Sequence, residues 1–456
     1  LVVALQNLVA YSVNMLDNIM LGSYSQNALS GAATVNQIFF IVNQLALSIG
    51  NALVAICSQY WGKQETEEIR KLTGAALALS ILIAAVVVTA CTCMPERLLG
   101  IFTTSPEIIA EGKAYLGLLK WTFLLFMISN LLIAMLRSVE AVKISFVVSV
   151  VSLITNGCIN YTLIFGRFGM PEMGIMGAAI GTLTARIVEL IIVIWYAKVK
   201  NHDVRFHPVY MRKIDKVLLK DFLIYASPMI QIDRVLAKDY LIYAMPVVLN
   251  EMMWGLGSTA NTAVIGHLGS AAVAANSVAQ VARQLATVVA FGVSNATAIY
   301  LGKTIGAKEF HLAKEYGKRF LWLSIITGAV GGGIILIAAP IANHVMTLSQ
   351  EAQGYLYFMF FVMSYFTLCQ AINTTLVVGV FRAGGDTRFG LILDVSTMWG
   401  CSILLGMIAA FVFHAPVQVV YILLMSDEVI KVPITVMRYR SYKWIQNVTR
   451  EKAELS

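Results

Sequence analysis

Residues 14–22 read NMLDNIMLG, and the acid at their centre decides how the rest of the chain is read. Asp17 stands in an apolar run that begins at Leu1. A carboxylate at membrane depth is costly, so its default meaning is an ion or proton site. Residues 261–266, NTAVIG, repeat the frame of residues 17–22, DNIMLG, with an amide in place of the acid. Asn261 thus answers Asp17, and only the first half of the chain carries a charge in this frame.

The surroundings of that run set the class. Of 456 residues, 58% are hydrophobic and 13% charged, and the mean hydropathy is +0.76. A soluble domain carries about 25% charge. Apolar runs of roughly 20 residues, enough to cross a bilayer, follow one another with short polar breaks. The chain is therefore an all-α polytopic membrane protein whose main partner is the lipid bilayer. Its net charge of +8 does not point to nucleic acid. The Lys and Arg residues gather in alternate loops, the positive-inside pattern.

Twelve spans are predicted, near 1–21, 32–57, 72–94, 116–136, 145–165, 175–197, 239–265, 272–300, 320–340, 355–381, 389–413 and 415–437. Loops 62–71, 198–238 and 303–319 are charged, whereas those after the first, fifth, seventh and eleventh spans hold almost no basic residues. Even-numbered loops and both termini are expected in the cytoplasm, and the protein in the plasma (cell inner) membrane. The opening run lacks a basic leader and a small-residue cleavage site, so it is not read as a cleavable signal. A start at Leu1 without Met is what a chain trimmed at the front would show. All six cysteines, at 57, 91, 93, 158, 369 and 401, fall within spans, which argues against a disulfide framework.

The halves repeat. YWGK at 60–63 and YLGK at 300–303 follow the second and eighth spans, and Arg137 and Arg382 end the fourth and tenth. Two pseudo-symmetric six-helix lobes are expected, at 1–198 and 239–441, with a cytoplasmic linker at 199–238 and a cytoplasmic tail at 442–456. Parallel repeats of this kind enclose a cavity whose access alternates. In the linker, LLKDFLIYASP (218–228) recurs as LAKDYLIYAMP (236–246). The first copy reads as an interfacial amphipathic helix, or as a tandem duplication without function.

The motifs exclude enzyme chemistry and a resident cofactor. Gly331, Gly332 and Gly333 lie inside a span with no following Lys-Ser/Thr, so they form no phosphate loop. A Gly-x-Ser-x-Gly elbow and a His-Glu-x-x-His pair are both missing. Any driving energy should then come from an ion gradient. Besides Asp17, Asn156 and Asn160 share one face of the fifth span. In the sixth, Thr182 and Thr184 follow Gly181, and Arg186 with Glu189 forms an i, i+3 pair. That pair is expected to neutralise itself near the cytoplasmic end.

A carboxylate with amide and hydroxyl oxygens suits a hard cation such as Na⁺. Desolvated, the same carboxylate could carry a proton. Both options stay open, and no metal is expected beyond that Na⁺. Asn and Thr in membrane helices also serve simply to bond neighbouring helices. The second span holds Asn36 and Gln37, and the eighth holds Gln280 and Gln284, as expected of a wet cavity wall or of interhelix bonds. Glu251 and Asp394 are read as the intramembrane acids of the second half. Glu251 adjoins Met252, Met253 and Trp254, a composition suited to greasy cations, or to packing alone.

Three stretches together resemble the multidrug and toxic compound extrusion (MATE) transporters. They are LDNIMLGSYSQNALSGAA (16–33), NYTLIFGRFGMPEMGIMGAAIGT (160–182) and MPVVLNEMMWG (245–255). The resemblance spans essentially the whole chain, and FGMPEMG (168–174) is its most specific part. It implies two six-helix lobes, alternating access, and efflux of small organic cations against inward Na⁺ or H⁺ flow by a monomer. The family's amino-lobe cation cluster would map to Asp17, Asn156, Asn160 and Thr182, and its seventh-span acid to Glu251. Two departures stand out. Residues 364–379, SYFTLCQAINTTLVVG, lack the tenth-span acid of some members, and Val2 occupies the position that mirrors Pro246. The alternative is a lipid-linked oligosaccharide flippase of the same superfamily. It would want several basic residues in the cavity, where only Arg186 and Lys120 lie well inside a span.

Overall fold

The computed structural model describes residues 2–103, 105–199, 234–345 and 350–449. Among them the regular structure is helical throughout. The first half contributes α1 (Val2–Tyr24), α2 (Gln26–Gly62), α3 (Thr66–Cys93), α4 (Pro95–Gly100), α5 (Pro106–Ser138), α6 (Lys143–Ile164) and α7 (Ile175–Val199). The second contributes α8 (Arg234–Gly266), α9 (Ser270–Gly306), α10 (Phe310–Val345), α11 (Gln350–Phe381), α12 (Thr387–Val412), α13 (Val417–Leu424) and α14 (Asp427–Arg440). Nine of the described helices are long and apolar enough to cross a bilayer. The other three spans are α1, α8 and the α13–α14 pair, each interrupted by polar or charged residues.

That last pair corrects the sequence reading, which expected one span over 415–437. The backbone leaves the helix at Met425 (φ −101°, ψ 20°) and restarts after Ser426. Asp427 and Glu428 then occupy the first turn of α14, where the helix dipole favours acids. Short α4, opened by Pro95 at its first position, was likewise not foreseen. Nor were the π-helical stretches Thr375–Phe381 in α11 and Met398–Ile403 and Ile408–Val412 in α12. The first copy of the tandem repeat, 218–228, lies outside the described residues. The second copy forms the start of α8.

The chain divides into two compact units. The first holds residues 2–57 and 64–244. In it α7 packs on α6 and α5, while α1 lies along α6. Glycines permit the closest approach: a Cβ at Gly177 would press on the backbone of Leu163 and Ile164, and one at Gly181 would strike the Asn160 side chain. Small residues at such crossings are how membrane helices gain packing without a hydrophobic drive between them.

The second unit holds residues 58–63 and 245–456. Gly331 faces the Ala286 carbonyl and Gly332 that of Ser364, so this glycine run is a seam for neighbouring helices. The repeated Gly-Lys frames meet here too. A Cβ at Gly62 would overlap the Lys303 carbonyl, and one at Gly302 the Ser58 hydroxyl. Gln59 is fully engaged beside them. Its Nε2 donates to the carbonyls of Ala383 (2.6 Å) and Gln446 (3.2 Å), and its Oε1 accepts from Val448 N (2.8 Å). Trp444, buried and stacked on Tyr439 with centroids 6.0 Å apart, anchors the segment after α14.

Candidate functional site

In the first unit, α1 delivers Asp17 to a pocket walled by α6 and α7. Its carboxylate is 9% exposed. Asn160 Nδ2 donates to Asp17 Oδ1 at 2.6 Å and to Asn156 Oδ1 at 3.2 Å, and Asn156 Nδ2 donates to Thr182 Oγ1 at 3.3 Å. The i, i+4 spacing on α6 puts both amides on the face toward α1 and α7. The four residues nominated for a cation are therefore brought together. Asn160 Oδ1, pressed toward Gly181, is buried without a hydrogen-bond partner. A carboxylate beside an orphaned amide oxygen, both out of water, is a donor set that calls for a proton or a hard cation. Buried Tyr115 of α5 lies near Asp17 and Thr182; the sequence reading missed it because a tyrosine in a span carries no distinguishing signal.

Arg186 and Glu189 do pair, Nη1 to Oε2 at 2.7 Å, but their expected position is corrected. They lie about halfway along the apolar stretch Ile175–Ala197 rather than near its end. At that depth each needs further support. Ser129 Oγ donates to Glu189 Oε1 at 2.7 Å, and the guanidinium sits 4.6 Å from the Phe126 ring centroid.

The residues nominated for a substrate cavity fall on both units. Asn36 is half-buried and Gln37 exposed on α2. In the second unit Gln280 accepts from Arg283 Nε at 2.9 Å, Gln284 is exposed, and Met252, Met253 and Trp254 are half-buried. Glu251 has a counter-ion that the sequence reading did not name. Arg382, 5% exposed, donates from Nη1 to Glu251 Oε1 at 2.6 Å. Half-buried Glu251 is thus partly neutralised, and any part it takes in a cavity is shared with Arg382.

A further charged cluster went unread. Lys431 Nζ, buried in α14, lies 3.0 Å from Asp394, 3.2 Å from Asp427 and 3.1 Å from Glu428. Asn250 donates to Asp394 at 2.7 Å, and Asn373 to Glu428 at 2.8 Å. Asp394 had been singled out alone. The missed signal was Asp427, Glu428 and Lys431 at i, i+1 and i+4 within an otherwise apolar stretch. Asn261, the counterpart of Asp17, is also 9% exposed, and its Oδ1 has no hydrogen-bond partner.

The MatE family profile matches residues 3–162 and 246–408, taking in both repeats. The chain belongs to the MatE family. Relatives include the probable multidrug resistance protein YoeA of Bacillus subtilis, 22% identical over 83% of this chain and 78% of its own length. The probable multidrug resistance protein NorM of Rhizobium meliloti is 23% identical over 89% of this chain and 83% of its own. Among solved structures, a mutant of the Vibrio cholerae MATE transporter VcmN superposes with a TM-score of 0.82 at 16% identity, covering 98% of this chain and 96% of that one. At that identity the likeness establishes the fold: a MatE protein with twelve membrane helices in two six-helix lobes. MatE proteins are transporters rather than enzymes, and several relatives of this one bear the name of probable multidrug resistance proteins.

Proposed function

We propose that this protein exports amphipathic, cationic organic compounds by alternating access, driven by Na⁺ or H⁺ loading at Asp17. The observation that carries the reading is the Asp17 pocket. Its acid is held by neutral amides, and the unpartnered Asn160 oxygen lies beside it. Na⁺ would take oxygens from Asp17 and Asn160, with Asn156 and Thr182 orienting them; a proton would need Asp17 alone. The names of the relatives support small organic substrates, and the loop charge bias supports a plasma-membrane protein with both termini in the cytoplasm. The cavity residues proposed are Asn36, Gln37, Gln280, Gln284 and the 251–254 stretch. A flippase for anionic lipid-linked sugars is not favoured by the relatives' names, and Arg186 and Arg382 already hold acids.

The test is export of a fluorescent organic cation from proteoliposomes under an imposed Na⁺ or H⁺ gradient. Asp17→Asn keeps the shape and removes the charge, so gradient-driven export should collapse while the protein stays folded. Normal gradient-driven export by Asp17→Asn would place the ion site elsewhere.

A further inference from the structure

We propose that Arg186 is a tethered cation, resting on Glu189 while Asp17 is loaded and moving to Asp17 when the coupling ion has left. The inference rests on the ion-loading role of Asp17 given above and concerns how that site empties.

The difficulty of any such site is release. Once the ion departs, Asp17 would be left ionised at membrane depth among neutral partners. Those partners are Asn160 and Asn156 from α6, with Tyr115 from α5 and Thr182 from α7 beside them. Arg186 is a cation near enough to Asp17 for their charges to interact. It stands one turn along α7 from Thr182, on the same face, so its place beside the pocket follows from helix geometry.

Anchor and cation are built differently. Glu189, its side chain 7% exposed, is fixed at both oxygens, by Ser129 and by Arg186. The Arg186 side chain is 20% exposed, held by one ion pair and a ring face. Its long stem can swing, and it remains charged wherever it goes. In the resting arrangement Glu189 has its counter-ion and Asp17 is free for the coupling ion. In the other, Arg186 neutralises Asp17, and Glu189 keeps the Ser129 hydroxyl. Ion and guanidinium then compete for one carboxylate.

Competition predicts effects of opposite sign, which a bracing salt bridge would not give. The full chain is reconstituted, and the half-saturating concentration of the driving ion is measured separately from maximal turnover. For a proton-driven protein the first quantity is the midpoint of the pH profile. Arg186→Gln removes the competitor: the ion should bind about tenfold more tightly, within the usual span of site-to-site couplings, while turnover falls because release is slow. Glu189→Gln removes the resting place, and the ion should bind about tenfold more weakly. The double variant Arg186→Gln/Glu189→Gln leaves no uncompensated charge, folds for that reason, and should behave as Arg186→Gln does.

Shifts in the same direction for the two single variants, or a double variant that binds the ion as weakly as Glu189→Gln, would overturn the switch. Unchanged ion affinity in the folded double variant would overturn it as well. Asp17→Asn separates the two levels of the argument. If it leaves coupling intact, the ion-loading reading itself fails. If it abolishes coupling while the pair at 186 and 189 shows no opposing shifts, only the tethered cation is lost.

Discussion

Asp17 and Glu251 are both acids inside membrane helices, yet their surroundings assign them different work. Asp17 receives a bond from a neutral amide, whereas Glu251 is paired with Arg382 at 2.6 Å. Glu251→Gln should therefore act first on stability. It strands the buried Arg382 charge, at a cost of about 3 kcal/mol, read as a lower unfolding temperature in detergent. Adding Arg382→Gln should recover much of that loss, and an unchanged melting temperature for Glu251→Gln alone would contradict the pairing. At the Asp17 pocket, Asn160→Ala should weaken coupling less than Asp17→Asn, measured as gradient-driven export, because water can replace one neutral oxygen. The grouping of Asp17, Asn156, Asn160 and Thr182 was legible in the sequence because an acid in an apolar run and amides at i, i+4 are rare and geometrically explicit. Arg382 was visible only as the end of a span, since a partner 131 positions away leaves no local trace.

Helices with a clear apolar period were read with boundaries shifted by up to ten residues; those whose ends depend on other elements were not. The twelfth span breaks because Asp427 and Glu428 can start a new helix and meet Lys431, and the sequence shows the acids without the contact that retains them. The repeated Gly-Lys frame is the opposite case. It was read as a mark of duplication, and the packing gives its physical cause in α2 and α9. Gly302→Leu would drive a side chain into Ser58, and overpacking of this kind costs about 1–3 kcal/mol. The expected outcome is a lower yield of monodisperse protein and loss of export. Gly354→Leu, with no neighbouring atom in the way, should be tolerated in the same assays. Equal behaviour of the two variants would remove the crossing as the explanation.

At the scale of the whole molecule, the alternation of charged and uncharged loops predicts an orientation that the helices alone do not carry. Lys308, in the turn between α9 and α10, should be cytoplasmic, and Glu172 and His267 should face outward. Single cysteines at these positions, in a background without native cysteines, can be tested with an impermeant reagent on intact cells. Labelling at 308 but not at 172 would invert the assignment. Two lobes were legible because each half carries the same frames. The placement of residues 58–63 with the second unit was not, because no pattern within α2 marks where its allegiance changes.

The clasp on Gln59 also has a consequence for biosynthesis. Its side chain waits for Val448, 389 positions later, and at ordinary translation rates that interval is roughly 20–80 s. Until then the end of α2 has left the ribosome without its last partners. Residues made 389 positions later would thus be the ones that seat the end of α2.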